Sequence, residues 1–201
     1  MKKIIFATKN QGKLKEIKEI LKDLPVQIIS QEEAGLDMEV EETGTTFEEN
    51  AILKAKTIME YTGEIVLADD SGLEVDYLDK GPGVYSARFG GPGCSDKDKN
   101  HKIIELLTGV PKEQRTARFI CVIAATFPDG DIITTQGVIE GFINDKPKGN
   151  QGFGYDPIFY VPQYQCTTAE MSPALKNEIS HRGKALQEMK KQLAKKILPR
   201  L

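Results

Sequence analysis

The sequence predicts an α/β fold in which a mixed central sheet is flanked by helices and two lobes enclose a cleft. Near the N-terminus, a strand is followed by an amphipathic helix and further apolar segments, which favours helices packed on a sheet. In the middle of the chain, Pro128-Asp129-Gly130-Asp131 separates two apolar runs, which indicates a long hairpin. No repeat or linker divides the 201 residues, so residues 1–201 are predicted to form a single two-lobed domain.

The first half of the chain alternates between apolar runs and helical patterns. Residues 4–7 (Ile-Ile-Phe-Ala) predict a short buried strand. The apolar residues that follow have helical spacing: Leu14, Ile17, Ile20, Leu21 and Leu24. A second helix is predicted where Thr45 with Glu48, or Thr46 with Glu49, could form a capping box.

The second half of the chain contains two predicted helices and the hairpin. Ser95 is the expected cap of a helix over residues 96–108, which Gly109-Val110-Pro111 would terminate. The hairpin strands are predicted over residues 118–127 and 132–139. A last helix is predicted from about Ser180 to Leu198.

Composition excludes several classes of protein. The net charge of −3 provides no basic surface for a nucleic-acid polymer. Cys94, Cys121 and Cys166 are odd in number and far apart, which predicts neither a disulfide framework nor a zinc site. The apolar run after Lys2-Lys3 is too short for a signal peptide, and no run approaches the roughly 18 residues of a membrane span. We therefore expect a soluble cytoplasmic protein with no membrane partner.

The first strand and the first helix are joined by a segment that suits an anion. Residues 7–14, A-T-K-N-Q-G-K-L, nearly match a phosphate-binding P-loop, but Ala7 replaces its first glycine and Leu14 replaces its metal-binding hydroxyl. A helix start still offers unpaired N–H groups and the positive end of the helix dipole. An ordinary capped helix start with solvated lysines is the alternative, and this segment alone does not decide between the two.

Two adjacent carboxylates, Asp69-Asp70, follow the apolar run Ile65–Ala68. We expect the strand to end where the apolar run stops, which would place both carboxylates at the carboxyl end of a strand, where open α/β sheets bind their ligands. Alternation would turn the two side chains to opposite sides. A second acidic cluster, residues 39–42 (Glu-Val-Glu-Glu), could supply another carboxylate, so that one from each cluster would bind magnesium. The alternative for the glutamates is that they are solvated loop charges.

Further candidate residues lie on the second predicted helix and in a glycine-rich segment. Asn50 and Lys54 are one helical turn apart and could face the same cleft, although an ordinary solvent-facing lysine is the alternative. Residues 146–159 contain Phe153, whose ring would stack on a flat base if it did not merely fill a turn.

The last predicted helix begins with two cationic or ionisable side chains. His181 and Arg182 follow the expected cap Ser180, where the helix dipole disfavours positive charge. A bound ligand with acceptor atoms or negative charge would offset that misfit. Lys176 lies a few residues earlier and supports the same interpretation.

Taken together, the motifs resemble those of the inosine triphosphate pyrophosphatase family, the XTP/dITP diphosphatases. The resemblance runs from residue 4 to about residue 190. It rests on motifs that occur in this order: T-x-N-x-x-K, E-E-T-G, E-N-A-x-x-K-A, A-D-D-S-G-L, G-P-G-V-Y-S-A-R, G-F-G-Y-D-P-I-F and S-H-R-G-K-A-L.

The resemblance implies a role for each matching position. Glu41 and Asp70 would bind Mg²⁺, Asp70 would also accept a proton, and Ser71 would contact the substrate. The triphosphate would lie on the first loop: Thr8, Lys9, Asn10, Gln11, Gly12 and Lys13. The base and sugar would be held in the nucleotide-binding cleft by Phe153, Gly154, Tyr155, Asp156, Lys176, His181 and Arg182. A homodimer is also implied.

The implied reaction is hydrolysis of ITP, dITP or XTP to the monophosphate and pyrophosphate. Water would attack the α-phosphorus, with the metal and the lysines neutralising charge on the phosphate oxygens. Two alternatives remain at this point. A phosphatase or phosphotransferase using the same residues would release or transfer orthophosphate, and a nucleotide sensor would bind without turnover.

Overall fold

The computed structural model describes residues 2–198, which form a mixed α/β fold with a seven-stranded sheet flanked by helices. The strands are β1 Lys2–Phe6, β2 Val26–Ser30, β3 Ile65–Val75, β4 Thr116–Thr126, β5 Ile132–Ile143, β6 Phe159–Val161 and β7 Cys166–Thr167. The α-helices are α1 Gln11–Ile20, α2 Phe47–Thr62, α3 Asp96–Leu106, α4 Pro173–Ile179 and α5 His181–Ile197. Short 3₁₀ helices span Asp76–Leu78, Gly83–Arg88, Lys112–Gln114, Asp156–Ile158, Pro162–Tyr164 and Thr168–Glu170.

The strand order is β2-β1-β3-β4-β5-β6-β7. β1 pairs in parallel with β2 and with β3, whereas β6 is antiparallel to both β5 and β7. β4 and β5 are neighbours joined by the turn after Phe127, whose N–H donates to Asp131 O at 3.0 Å. The predicted mixed sheet and the predicted hairpin strands are therefore confirmed.

The chain divides into two compact units. Unit 1 contains the chain up to Asp70, Cys121–Gly137 and the chain from His181 onward. Its core packs α1 and α5 with the strands, and the buried side chains include Ile4, Phe6, Leu14, Ile17, Leu21, Leu67, Ile123, Leu186, Met189 and Leu193. The helical spacing that predicted α1 therefore corresponds to its buried face, and the predicted last helix is present as α5 with a buried face of its own.

Unit 2 contains Ser71–Ile120 and Val138–Ser180. Its core consists of a second cluster of buried side chains, among them Leu73, Val75, Ile103, Leu107, Phe119, Ile139, Ile143, Ile158, Phe159 and Met171. Within this cluster, the rings of Phe119 and Phe159 have their centroids 4.4 Å apart. The predicted cleft between two lobes stays a prediction.

Helix ends follow the local signals in the sequence. Thr46 and Glu49 form a reciprocal capping box at the start of α2, and Gly63 ends that helix with φ of 68°. Ser95 and Asp98 form the same arrangement at the start of α3. Of the two capping boxes that the sequence allowed for α2, the structure contains the one at Thr46.

The prediction that β3 ends at Ala68 is wrong. β3 continues through both aspartates to Val75, although its pairing with β1 ends where Phe6 lies beside Leu67. A strand persists as long as its backbone is paired, and β3 also neighbours β4 in the sheet. Asp69 and Asp70 thus lie in the interior of a long strand, just beyond the end of β1. Neither β2 nor α4 was predicted from the sequence.

Candidate active site

The loop before α1 is organised by its own side chains. The Asn10 carboxamide caps α1 by accepting from the Lys13 N–H at 3.1 Å, and the Thr8 hydroxyl accepts from the Asn10 N–H at 3.1 Å. Lys9, Asn10 and Gln11 are exposed, while Gly12 is partly buried. The loop has the conformation of a capped helix start, and its binding of phosphate stays a prediction.

Asp69 lies at the centre of a buried charge network in unit 1. Its Oδ2 lies 2.9 Å from Lys13 Nζ and 3.3 Å from Arg182 Nη2, and its side chain is 1% exposed. Burial alone would raise the pKa of Asp69, but the charges of Lys13, Arg182 and Lys54 outweigh it and hold the pKa below its ordinary value. Asp69 is therefore ionised and serves as an anchor for two cations.

Arg182 is neutralised by protein carboxylates. Besides Asp69, its Nη1 donates to Glu16 Oε2 at 2.9 Å, and its side chain is 3% exposed. Burial alone would lower the pKa of Arg182, but Asp69 and the other neighbours raise it, so the guanidinium is charged. Asp69 and Glu16 thus already offset the charge of Arg182 within the protein, and a ligand at the start of α5 stays a prediction. His181 is buried beside it as the first residue of α5.

Asp70 has different partners from its neighbour, as the alternation along β3 requires. Its Oδ2 accepts from Asn50 Nδ2 on α2 at 3.0 Å, and its Oδ1 lies 3.9 Å from Lys54 Nζ. Burial raises the pKa of Asp70 to about 6, and Glu42 adds to the increase, while Lys54 and Asn50 oppose it. This carboxylate is only partly compensated by the protein, in contrast to Asp69.

Lys54 connects Asp70 to the loop before α2. Its Nζ donates to Glu42 Oε1 and to the Asp69 carbonyl oxygen, both at 2.6 Å. Burial alone would lower the pKa of Lys54, but the carboxylates of Asp69, Asp70 and Glu42 raise it. The lysine is a charged, largely buried group, and the alternative of an ordinary solvent-facing lysine is wrong.

The carboxylates near Asp70 suit a hard cation. Asp70 and Glu42 lie on either side of Lys54, whereas Glu41, the residue that the resemblance implies as a ligand, is exposed. Among residues 2–198, no group of three or more His, Cys, Asp or Glu side chains is arranged to hold a metal ion. Magnesium often takes only one or two carboxylates and completes its coordination with waters and substrate phosphates. The carboxylate oxygens here are of the kind that magnesium uses, and magnesium binding at this site stays a prediction.

The glycine-rich loop of unit 2 is organised around Asp156. The Asp156 Oδ2 accepts from Lys176 Nζ at 2.6 Å and from the Phe153 N–H at 2.8 Å, and the side chain is buried. Lys176 Nζ also lies 4.7 Å from the centroid of the Phe153 ring, a cation–π contact. Phe153, Asp156 and Lys176, which are up to 23 positions apart in the sequence, are thus brought together.

The rest of this loop is fixed by α3 and by the G-P-G-V-Y-S-A-R segment. The Gly154 N–H donates to Asp96 Oδ2 at 2.8 Å, and its carbonyl oxygen accepts from Asn100 Nδ2 at 3.1 Å. The Tyr155 hydroxyl donates to the Ser86 carbonyl oxygen at 2.8 Å. Burial, with smaller contributions from Asp96 and Cys94, raises the pKa of Tyr155, so the phenol is neutral. Ser71, on β3, is partly buried.

Sequence reasoning missed several of the residues that organise these groups. Asp96 and Asn100 are four positions apart on α3, a spacing that places two side chains on one face and could have been noticed. Glu16 is likewise one turn after Lys13 on α1. Thr168, which contacts Asp156, has no such signal in the sequence, because the contact depends on tertiary structure.

Comparison with known proteins identifies the family. The model of the Ham1 family matches residues 4–192. The chain belongs to the Ham1 family.

Relatives of this Ham1 chain match it over nearly its whole length. It is 52% identical over 199 residues to a dITP/XTP pyrophosphatase from Clostridium perfringens, covering 96% of this chain and 98% of the relative. It is 53% identical over 199 residues to a dITP/XTP pyrophosphatase from Desulforamulus reducens, covering 99% and 96%. The solved structure of a HAM1 protein from Coxiella burnetii superposes with a TM-score of 0.89 at 44% identity, covering 97% of this chain and all of that one.

Proposed function

We propose that this protein hydrolyses the non-standard purine nucleoside triphosphates ITP, dITP and XTP to the monophosphate and pyrophosphate, and so removes them from the nucleotide pool. The observation that carries the proposal is the Asp70 carboxylate, which is buried, accepts from Asn50, lies near the charged Lys54 and has its pKa raised by burial to about 6. The relatives named dITP/XTP pyrophosphatase, about half identical over nearly the full chain, support the same substrate class.

Asp70 is the proposed proton acceptor of the reaction. A water oxygen forms a bond to the α-phosphorus, the bond from that phosphorus to the bridging oxygen breaks, and pyrophosphate leaves with the electron pair. Asp70 orients the water and takes its proton, and a carboxylate whose pKa is about 6 remains mostly ionised at neutral pH. Asn50, by donating to Oδ2, fixes the orientation of the carboxylate.

Charge on the phosphates is neutralised by lysines and by the proposed cofactor. Lys13, Lys54 and the backbone of Thr8–Lys13 contact the triphosphate in this proposal. Mg²⁺, held by Glu41 and Asp70, would withdraw charge from the phosphate oxygens. Lys13 is kept near the start of α1 by Asp69, at 2.9 Å.

Recognition of the base and sugar is assigned to the residues that the resemblance implies. Phe153 would stack on the purine, and Lys176 and His181 would donate to it, together with Arg182. Gly154, Tyr155, Asp156 and Ser71 complete the proposed substrate contacts. The ordered loop around Asp156, with its hydrogen bonds to Lys176 and Phe153, supports this assignment.

The proposal includes a cellular setting and an assembly. The protein would act in the cytoplasm, where nucleoside triphosphates are made and used, as a homodimer of single-domain chains. No helix among the described residues has the length and apolarity needed to cross a membrane. Sedimentation velocity should give a species of twice the chain mass of 22.3 kDa, and a monomer at micromolar concentration would overturn the dimer proposal.

Analysis of the phosphorus-containing products of ITP hydrolysis tests the proposed function. With magnesium present, we expect IMP and pyrophosphate in equal amounts and no early orthophosphate. Orthophosphate with IDP would indicate a γ-phosphatase instead. Absence of turnover with every purine triphosphate, despite binding, would indicate a nucleotide sensor.

A further inference from the structure

We propose that Thr168 is a positioning residue for base recognition: its hydroxyl fixes the Asp156 carboxylate, which in turn fixes Lys176 and the backbone of Phe153. The Thr168 hydroxyl donates to Asp156 Oδ1 at 2.8 Å, and Thr168 is 2% exposed. This inference rests on the proposed function and concerns a residue outside all of the motifs that carry the resemblance.

The two carboxylate oxygens of Asp156 accept hydrogen bonds from different donors. Oδ1 accepts from Thr168, while Oδ2 accepts from both Lys176 Nζ at 2.6 Å and the Phe153 N–H at 2.8 Å. Rotation about the last torsion of an aspartate is soft, so nothing intrinsic to the side chain selects one orientation. The hydroxyl of Thr168 selects it, because a bond at Oδ1 directs Oδ2 toward Lys176 and Phe153.

Gly152 leaves room for that orientation. A Cβ at Gly152 would lie 2.1 Å from Asp156 Oδ2 and 3.1 Å from Lys176 Nζ, so the carboxylate occupies the space that a side chain would fill. Gly152 also has φ of +77°, which favours glycine. A change in the tilt of the carboxylate would therefore be transmitted to the Lys176 ammonium and, through its 4.7 Å contact, to the Phe153 ring.

Thr168 is itself held by a fixed segment. Thr167 and Glu170 form a capping box around it, with the Thr167 N–H donating to Glu170 Oε2 at 2.8 Å. The next residue, Ala169, accepts through its carbonyl oxygen from the Gln151 N–H at 3.0 Å, which ties this segment to the glycine-rich loop just before Gly152. A hydroxyl anchored in this way can define the position of its acceptor rather than follow it.

The test compares Thr168→Val, which keeps the shape and removes the donor, with Thr168→Ser, which keeps the donor. Since removing a hydrogen bond to a charged group shifts an equilibrium by about tenfold or more, and this bond positions Lys176 and Phe153, Thr168→Val should raise KM for ITP about tenfold and leave kcat within about twofold. Thr168→Ser should retain a KM near that of the wild type. The matched control is Thr116→Val, because Thr116 Oγ1 donates to Asp76 Oδ2 at 2.6 Å, which is a bond of the same kind elsewhere in unit 2. The KM of the Thr116→Val enzyme for ITP should equal that of the wild type.

The outcomes separate the two proposals. A wild type that does not hydrolyse ITP overturns the proposed function and this inference with it. An active wild type whose KM is unaffected by Thr168→Val overturns the inference alone, as does an equal rise in Thr116→Val. If Thr168→Val does not fold, Thr168→Ala is compared with Thr168→Ser, and equal KM values in these two would show that the hydroxyl is not responsible.

Discussion

Asp69 and Asp70 are adjacent and both nearly inaccessible to solvent, and their pKa values are shifted in opposite directions. Lys13 and Arg182 keep the pKa of Asp69 below its ordinary value despite burial, whereas burial raises the pKa of Asp70 to about 6. The protein therefore stabilises the charge of the first carboxylate and destabilises that of the second. A carboxylate whose charged form is disfavoured by the fold is the one expected to meet a cation or a proton in the reaction.

Substitutions of these two residues should have opposite effects. Asp70→Asn should reduce turnover by about 10²–10⁴-fold and leave the melting temperature unchanged or higher, because the fold disfavours the charge that is removed. Asp69→Asn should destabilise the protein by about 3–5 kcal/mol, because Arg182 and Lys13 lose a buried partner. Paired measurements of kcat and thermal unfolding check both. Near-normal turnover of Asp70→Asn at saturating magnesium would transfer the catalytic role to Asp69.

At the scale of elements, α5 approaches β5 closely at a glycine. A Cβ at Gly137 would lie 2.0 Å from the His181 carbonyl oxygen and 2.7 Å from Ala185 N, both backbone atoms that cannot rotate away. The Thr135 hydroxyl also donates to the Ala185 carbonyl oxygen at 2.9 Å, which fixes this strand to the first turns of the helix. Gly137 thus allows the segment that begins with His181 and Arg182 to reach its position.

Gly137→Ala should therefore displace the start of α5. We expect a loss of about 1–3 kcal/mol in the free energy of unfolding, since inserted methyl groups in packed interiors cost that much. Chemical denaturation is the measurement. Gln136→Ala, an exposed position on the same strand, is the control and should stay within about 0.5 kcal/mol of the wild type. Equal stability of the two variants would contradict the close approach.

A second element-scale feature is the ion network where β3 ends. On β4, Arg118 Nη1 lies 3.0 Å from Asp76 Oδ1 and 3.5 Å from Glu74 Oε2. Its Nε lies 2.9 Å from Glu140 Oε1 on β5. Burial alone would raise the pKa of Asp76, but hydrogen bonds from Lys80, Thr116 and Arg118 hold it well below its ordinary value. The ionised form of Asp76 is therefore favoured by folding.

The sign of the resulting pH dependence follows by linkage. A lowered folded pKa contributes stability above the unfolded value of about 4, and that contribution is lost as the pH falls through the folded pKa. Asp76→Asn should therefore lower the melting temperature at pH 7, and its difference from the wild type should shrink progressively below about pH 4. Melting temperatures between pH 7 and pH 2.5 check this. A difference that stays constant with pH would show that the effect is not electrostatic.

At the scale of the whole molecule, helix caps could be predicted from the sequence, whereas contacts between distant residues could not. The caps at Thr46 and Ser95 depend on residues three positions away, so they could be predicted. The partners of Asp69 could not, because Arg182 is 113 positions distant and reaches it only through the packing of α5. The same limit explains why the end of β3 was misplaced: backbone pairing with a neighbouring strand, rather than the first charged residue, decides where a strand ends.

Selectivity among purines is the property that depends on the proposed site as a whole. ITP and XTP carry an oxygen at position 6, which accepts hydrogen bonds, whereas adenine carries an amino group, which donates. The Lys176 ammonium and the Arg182 guanidinium can only donate, and both side chains are buried. In the proposed site, an adenine amino group would take the place of the 6-oxo acceptor of such a hydrogen bond, and losing one hydrogen bond of this kind costs about 1–3 kcal/mol, so we expect ITP to be preferred over ATP by about ten- to a hundredfold.

The measurement is kcat/KM for ITP, XTP, GTP and ATP. Lys176→Met, which keeps the aliphatic length but removes the donor, should lower the preference for ITP over ATP by about tenfold. The control is Lys80→Met, which removes an exposed lysine that forms an ion pair with Asp76 in unit 2. This variant should keep the full preference of the wild type for ITP over ATP. Guanine also carries a 6-oxo group, so the ratio of ITP to GTP should change much less in Lys176→Met than the ratio of ITP to ATP. A wild type that cleaves ATP as well as ITP, or a Lys176→Met variant that still rejects ATP fully, would refute recognition through the 6-oxo group.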